Sequence, residues 1–385
     1  MERESPPAKR AENGESAVKG DGVSRREFLK MGGLFAGLLA EAPKDASALL
    51  TEMLEGKEGE SGKGPKVSFE VFYGAHVNAN DAVGLSKRIA ASDVYVPEQA
   101  GWNESSKNLL ESISMGKARP EYYSPIFRED SFKFGELKSL YDSKKPVFLA
   151  DIPEGHKLYN QLVGAYEGLR SIDFDASLKR VIENYKKAIK KAIELQLERE
   201  RVIIDNLKKL RTEIKSKKFP GVDASKKEIK VLVFLGAVHT KVYHALYASE
   251  DASSRSFPMM PFVYGNLSFG TEALRRAYFG KDIPDELAAR SILLSFSGDF
   301  IMKKPALASL RGDIMKSGRL LTKIFLAFSI AEIRQIYETV QKFSDPMRQY
   351  PPYLDGLLEK KGIHLPQNAE ELNDFFKNDP KPLRS

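Results

Sequence analysis

The most informative absence in this 385-residue chain is that of cysteine, of which there is none. Without a thiol the chain cannot form disulfides, bind a metal through thiolates or use a cysteine nucleophile. This absence alone leaves the cellular compartment open. Tryptophan occurs once, as Trp102, and we expect it and Tyr95 to pack or to line a pocket rather than to react.

Long apolar runs and clustered basic charge are also lacking. Residues 31–40 are apolar but fall short of the roughly twenty residues that span a bilayer, and residues 320–333 contain Lys323 and Glu332. The net charge of +7 is mild for this length, and the lysines are spread along helical patterns. We therefore expect no nucleic-acid partner. The hydrophobic fraction of 42% is typical of a globular protein.

An export pattern is present near the N-terminus. Residues 1–23 are polar and predicted to be disordered, and SRREFLK, residues 24–30, precedes the apolar stretch 31–40. This arrangement resembles a twin-arginine (Tat) signal, which implies the Tat translocase as a partner and the periplasm or cell envelope as the destination. Residues 46–48 (ASA) are the better cleavage candidate, and an uncleaved signal acting as an anchor is the alternative. We expect membrane contact only through this segment.

Composition divides the chain into five stretches. We predict a disordered N-terminus with a Tat-type signal over residues 1–48 and a linker of glycine and charge over 49–64. An α/β core carrying the site is expected over 65–250, and a helical C-terminal part of the same unit over 251–367. Residues 368–385 are predicted to be a loosely held tail.

Four short apolar runs predict strands, at residues 67–73, 95–98, 147–150 and 231–235. They alternate with helical patterns, the longest of which covers residues 176–217. Together they predict an α/β fold with a largely parallel sheet, covering helices, one long helix and a helical C-terminal part. A helix of that length is expected to be kinked or to stand out from the body.

Two of the predicted strands end in a glycine and then a histidine. The strand at 231–235 breaks at Gly236 and leads to His239, and the strand at 67–73 leads to His76. A strand–helix–strand unit brings the strand that ends in Glu98 next to the first strand. Ligands of open parallel sheets bind at the carboxyl ends of the strands, so we expect His76, Glu98 and His239 to converge on one pocket.

The order of these motifs resembles the superfamily that joins TraB/TIKI-type proteins, erythromycin esterases and ChaN-like proteins. Residues 236–239 (GAVH) match the late G-x-x-H of that superfamily, and Glu98 falls where its strand-end acid stands. LERERVIIDN, residues 197–206, is similar to its helical signature. Residues 73–76 (YGAH) depart from the early motif, with one residue fewer between glycine and histidine. The resemblance covers residues 67–246, about half of the chain.

This resemblance implies an exported hydrolase of amide or ester bonds in small-molecule or peptide substrates. TIKI-type members look like metal-dependent peptidases, so His76, Glu98 and His239 would bind a divalent transition metal of open identity. Erythromycin-esterase-like members activate water with histidine and glutamate and have no obligatory metal. In either case Glu98 or His239 would be the general base, and Arg199 would hold a carboxylate or an oxyanion.

The ChaN-like members imply a different hypothesis, a haem or iron-compound binding protein of the cell envelope. Such members bind iron through tyrosine, for which Tyr73 and Tyr95 are possible stand-ins. A third hypothesis is a structural or regulatory protein without turnover. The oligomeric state is left open.

Three further residues are expected around the site, namely Glu200, His244 and Asp151. His156 is expected to matter much less. Because His239 follows a strand in a loop, we expect it to be a poor core residue. Replacing it by alanine should then abolish hydrolysis and cost less than about 1 kcal/mol of stability.

Overall fold

The structure is a computed structural model that describes residues 64–74, 79–123, 132–169, 175–223, 225–236, 239–247, 255–257, 269–310 and 314–377. The Tat-type segment, its cleavage candidate and His76 lie outside these residues. The predictions made for them therefore stay predictions.

A small parallel sheet positions the site. Its strands are β1 (Lys66–Gly74), β2 (Val94–Val96), β3 (Glu228–Gly236) and the short edge strand β4 (Arg255–Phe257), in the spatial order β2-β3-β1-β4. All three strand pairs are parallel, and β1 and β3 pair along their whole length. The predicted strand at 231–235 is therefore central and buried, which confirms the parallel-sheet prediction.

Two details of the predicted sheet are wrong. The neighbour of β2 is β3 rather than β1, so Glu98 lies beside the strand that leads to His239. Residues 147–150 form no strand of their own, because only Val147 bridges to Tyr95 before the segment leaves the sheet. The sheet is consequently small, and helices make up most of the described residues.

The helices of the described residues cover the sheet and build the C-terminal part. The α-helices are α1 (Ala79–Ala91), α2 (Glu104–Ser114), α3 (Phe132–Ser143), α4 (Lys157–Gly168), α5 (Leu178–Lys215), α6 (Thr240–Tyr247), α7 (Phe269–Tyr278), α8 (Asp285–Met302), α9 (Ile314–Leu326), α10 (Ile330–Val340), α11 (Pro346–Lys360) and α12 (Ala369–Lys377).

Helix α5 joins the two cores of the molecule. It begins at the N-cap Ser177, whose hydroxyl accepts a hydrogen bond from the backbone of Arg180, and continues for 38 residues. The apolar side chains of its first half pack among the C-terminal helices, and those of its second half pack under the sheet. The long-helix prediction is confirmed, but the helix is buried along one face rather than standing out. Its middle is where one core ends and the other begins.

The C-terminal helices form a packed unit that extends into the predicted tail. Residues 369–377 form α12, and Leu372 on it is buried against this helical core. The side chain of Lys323 donates a hydrogen bond to the backbone oxygen of Phe375 at 3.2 Å. The first part of the predicted tail is therefore an attached helix. None of the helices in the described residues is long and apolar enough to cross a membrane.

Candidate functional site

The site lies at the carboxyl ends of β2 and β3. Glu98 follows β2 by two residues, and the backbone N–H of His239 turns back to the carbonyl of Gly236 at the end of β3. Because the two strands are parallel neighbours, their ends meet at one rim. There His239 Nε2 lies 3.0 Å from Glu98 Oε1, and Glu98 Oε2 accepts the backbone N–H of Gly236. The predicted pairing of Glu98 with His239 is present.

Arg199 reaches the same carboxylate from the middle of α5. Its Nη2 donates to Glu98 Oε1 at 2.8 Å. It also forms a two-pronged pair with Asp151, from Nε to Oδ1 at 2.8 Å and from Nη2 to Oδ2 at 2.5 Å. Such planar double contacts are the geometry that favours arginine over lysine. Backbone N–H groups of Gln99 and Ile152 also donate to Asp151, which orients this carboxylate.

The opposite side of the imidazole faces a second carboxylate that sequence reasoning placed only in the surroundings. Nδ1 of His239 lies 3.5 Å from Glu200 Oε1, one residue beyond Arg199 on the same helix. Gln196 Nε2 lies 3.2 and 3.3 Å from the two ring nitrogens. Tyr278 of α7 donates its hydroxyl to both oxygens of Glu200, at 3.2 and 3.0 Å. The C-terminal helical part thus contributes directly to the site.

Gln196 and Tyr278 were not predicted as site residues. The sequence carries a local signal for Gln196 only. The apolar stripe of α5 includes Ile189, Ile193, Ile203 and Leu207, three or four residues apart except across its middle. Gln196 and Glu200 occupy the places on that stripe where apolar residues are expected, and both are buried. Polar residues in register with an apolar stripe indicate a buried polar cluster. No comparable pattern marks Tyr278.

Burial and charge together set the protonation of the cluster. Side-chain exposure is 0% for His239, 1% for Glu200, 2% for Asp151, 7% for Arg199 and 13% for Glu98. Burial by itself lowers the pKa of His239, but the adjacent Glu98 and Glu200 carboxylates outweigh it and raise that pKa to about 9. The imidazole is therefore protonated at neutral pH. Burial opposes the charge of Arg199 as well, yet Asp151 and Glu98 raise its pKa above the ordinary value.

Several predicted residues take other places. His244 is half-buried on α6, where its ring packs edge-on against Tyr243 and burial lowers its pKa, and no described hydrogen bond joins it to the cluster. His156 caps α4 by accepting the backbone N–H of Leu158 at 3.2 Å, a structural role. The expectation that His239 is a poor core residue is wrong, because it is completely buried between two carboxylates.

The described members of the proposed metal site are paired with other side chains. Both ring nitrogens of His239 face carboxylates, and a histidine must be neutral to bind a metal. The oxygens of Glu98 already accept from Arg199, His239 and Gly236. Among the described residues no group of three or more acidic or histidine side chains is placed to bind a metal. His76, the third proposed ligand, is outside those residues.

The tyrosines considered for iron binding are also engaged. Tyr73 donates its hydroxyl to the backbone oxygen of His239 at 3.3 Å, and Tyr95 donates to Glu136 at 2.6 Å. Both side chains are buried, and burial raises the pKa of each above its ordinary value. An iron-binding tyrosine must lose its proton, so neither is prepared for that role. The haem hypothesis gains no support from these residues.

Comparison with known proteins leaves the family open. No family model, curated protein or solved structure matches the chain. The resemblance to the TraB/TIKI, erythromycin esterase and ChaN-like superfamily therefore stays an expectation, and a function has to be argued from the geometry of the site.

Proposed function

We propose that the protein is an exported hydrolase of ester or amide bonds that activates water with Glu98 and His239 and needs no metal at these residues. The observation that carries this proposal is the direct contact of 3.0 Å between Glu98 Oε1 and His239 Nε2 at the carboxyl rim of a parallel sheet. It joins a carboxylate, which can accept a proton from water, to a buried imidazolium, which holds that carboxylate in place.

Exposure assigns the two roles. Glu98 is the most exposed member of the cluster, and it is the group that water can reach. In the proposed reaction Glu98 removes a proton from water, and the water oxygen forms a bond with the substrate carbonyl carbon. The bond to the leaving oxygen or nitrogen breaks, and the proton that Glu98 took from water passes to the leaving group. His239 is completely buried and acts through Glu98, because its imidazolium holds that carboxylate across their contact.

Arg199 acts on this pair as a positioning residue. The atoms Nε and Nη2 are engaged with Asp151 and Glu98, so the guanidinium holds Glu98 in place rather than waiting for an oxyanion. Asp151 in turn orients the guanidinium through two bonds. The resemblance implies that Arg199 holds a carboxylate or an oxyanion. Of these two roles we propose only the first, with the carboxylate being that of Glu98 in the protein itself.

Hydrolysis of p-nitrophenyl esters and fluorogenic peptide amides by the purified protein tests this function. We expect Glu98→Gln to lower kcat by a factor of about 10² to 10⁴, the usual contribution of a positioned acid or base. Dialysis against a chelator should leave the wild-type rate unchanged. Exposed Glu183, on α5, provides the control substitution Glu183→Gln. A rate that chelation abolishes and a divalent metal restores would support the peptidase-type mechanism with His76 instead.

Export is proposed on the residues 24–30 alone. Changing Arg25 and Arg26 together to lysine should leave the protein in the cytoplasm, because the Tat pathway requires the arginine pair. Cell fractionation measures this, and an unchanged distribution would show that the segment is not a Tat signal.

A further inference from the structure

The excess positive charge of the chain is concentrated at one end of the fold. Residues 208–230, which include the end of α5 and the start of β3, contain nine lysines and arginines against three acidic residues. Their net charge of +6 compares with +7 for the whole chain. We use the name basic end for six exposed lysines at this end of the sheet, Lys144, Lys217, Lys218, Lys226, Lys227 and Lys230.

These lysines lie together because the chain returns repeatedly to the same edge. Strands β1 and β3 begin side by side, with Lys66 opposite Glu228. The turn after α5 lies at the same edge, because Gly221 in that turn packs against Pro146. A Cβ placed on Gly221 would lie 3.4 Å from the Pro146 ring. Local acids neutralise only part of the charge, for example Asp93, which pairs with Lys226 at 2.5 Å.

Two of the six lysines occupy backbone conformations that disfavour any side chain. Lys144 and Lys217 have φ angles of 52° and 59°, and they are the only residues besides glycine with positive φ in the described part of the chain. Lys144 follows the last residue of α3, and Lys217 follows Ser216, the C-cap of α5, so both stand just past a helix end, where glycine is preferred. A residue with a Cβ costs about 1 kcal/mol there. Lysine at both positions keeps a charge where glycine would be more stable, which points to a use for the charge.

We propose that, in the form of the protein that keeps its N-terminal segment as an uncleaved anchor, the basic end binds an anionic lipid surface together with the apolar segment 31–40. Gly64, the first residue that the structure describes, lies at the basic end, where it packs against the backbone of Lys215 at the end of α5. The apolar segment has about half the length of a membrane span, and one short apolar anchor binds membranes only marginally. A basic surface supplies the second attraction that stable binding requires. No such apolar segment would be needed for binding nucleic acid.

This docking orients the candidate site away from the lipid. Six residues along β3 separate Lys230, the lysine of the basic end that lies on this strand, from Gly236, a distance of about 20 Å at about 3.3 Å per residue. Helix α5 gives a similar value, about 24 Å from Arg199 to Lys215. Lipid charge is screened within about 10 Å, so binding at one end leaves the electrostatics of the other unchanged. Lipid binding and hydrolysis can therefore be tested separately, and the failure of one leaves the other proposal intact.

Flotation of the full-length protein with phosphatidylcholine vesicles, with and without phosphatidylglycerol, tests the proposal. Each lysine near an anionic surface contributes about 1 kcal/mol, or about a factor of five in partitioning. We expect Lys217→Gln with Lys218→Gln to weaken binding to the anionic vesicles about 25-fold. The matched control, Lys187→Gln with Lys190→Gln, removes equal charge about 40 Å away along α5 and should bind as wild type does.

A pair of lysine-to-glycine substitutions distinguishes an effect of lost charge from an effect of lost folding. Lys144→Gly with Lys217→Gly relieves the positive-φ conformations, so the Tm should stay or rise while anionic-vesicle binding falls about 25-fold. High salt should remove the difference from wild type. Equal binding by the Lys217/Lys218 variant and the Lys187/Lys190 variant, or equal binding of the wild type to neutral and anionic vesicles, would overturn the proposal. Lysine-dependent binding to a duplex oligonucleotide, without vesicle binding, would overturn it in favour of nucleic acid.

Discussion

The buried imidazolium makes a specific prediction about how stability depends on pH. The pKa of His239 rises from 6.5 to about 9 on folding, so the folded protein holds this proton more tightly than the unfolded chain. The resulting stabilisation is complete below pH 6.5 and is lost as the pH rises through about 9. One pKa unit corresponds to about 1.4 kcal/mol, so the loss over this interval is about 3 kcal/mol.

Chemical denaturation at a series of pH values measures this loss. The variant His239→Gln has no proton to lose, so the difference in free energy of unfolding between wild type and variant should shrink by about 3 kcal/mol from pH 6.5 to 9. His244→Gln is a control of opposite sign, because burial lowers the pKa of His244 and its contribution grows more favourable as pH rises. Parallel pH profiles for wild type and His239→Gln would refute a protonated His239.

The remaining predictions concern the same cluster and are checked by denaturation at neutral pH. Arg199→Met leaves Asp151 and Glu98 without their buried partner and should cost about 3 to 5 kcal/mol, whereas Arg199→Lys, which keeps the charge but loses the planar fork, should cost less. His239→Ala should cost about 3 to 5 kcal/mol for the same reason, so a loss under about 1 kcal/mol would contradict the observed burial. Tyr278→Phe removes the donor to Glu200 and should cost about 1.5 to 3 kcal/mol, and an unchanged stability would indicate that water replaces the hydroxyl.

Part of the site followed from the order of elements along the chain. Apolar runs that end in Gly236 and precede Glu98 predict parallel strands, and parallel strands end at one edge. The closeness of Glu98 and His239 was therefore predictable even though the wrong neighbour was assigned to β2. The spacing of apolar residues on α5 likewise predicted one long helix, because a period of 3.6 residues is a local property.

The basic end is a feature of the sequence that only the fold makes recognisable. Residues 208–230 carry nearly all of the net charge, but they cross from a helix through a turn into a strand. When each helix, turn and strand is considered separately, the lysines of residues 208–230 do not form a cluster. Only their position at one edge, next to Lys144 from a distant helix, makes them a single surface.

The sequence by itself determined the strand and helix periods, the glycine breaks and the rim at which Glu98 and His239 meet, because each depends on a few neighbouring residues. The tertiary structure alone decided that His239 is buried between Glu98 and Glu200, that Arg199 pairs with Asp151, and that α7 reaches the site. These contacts join residues 39 to 141 positions apart on helices and strands whose order in space depends on how the two cores pack. No local pattern encodes that packing, since it is the sum of many long-range apolar contacts.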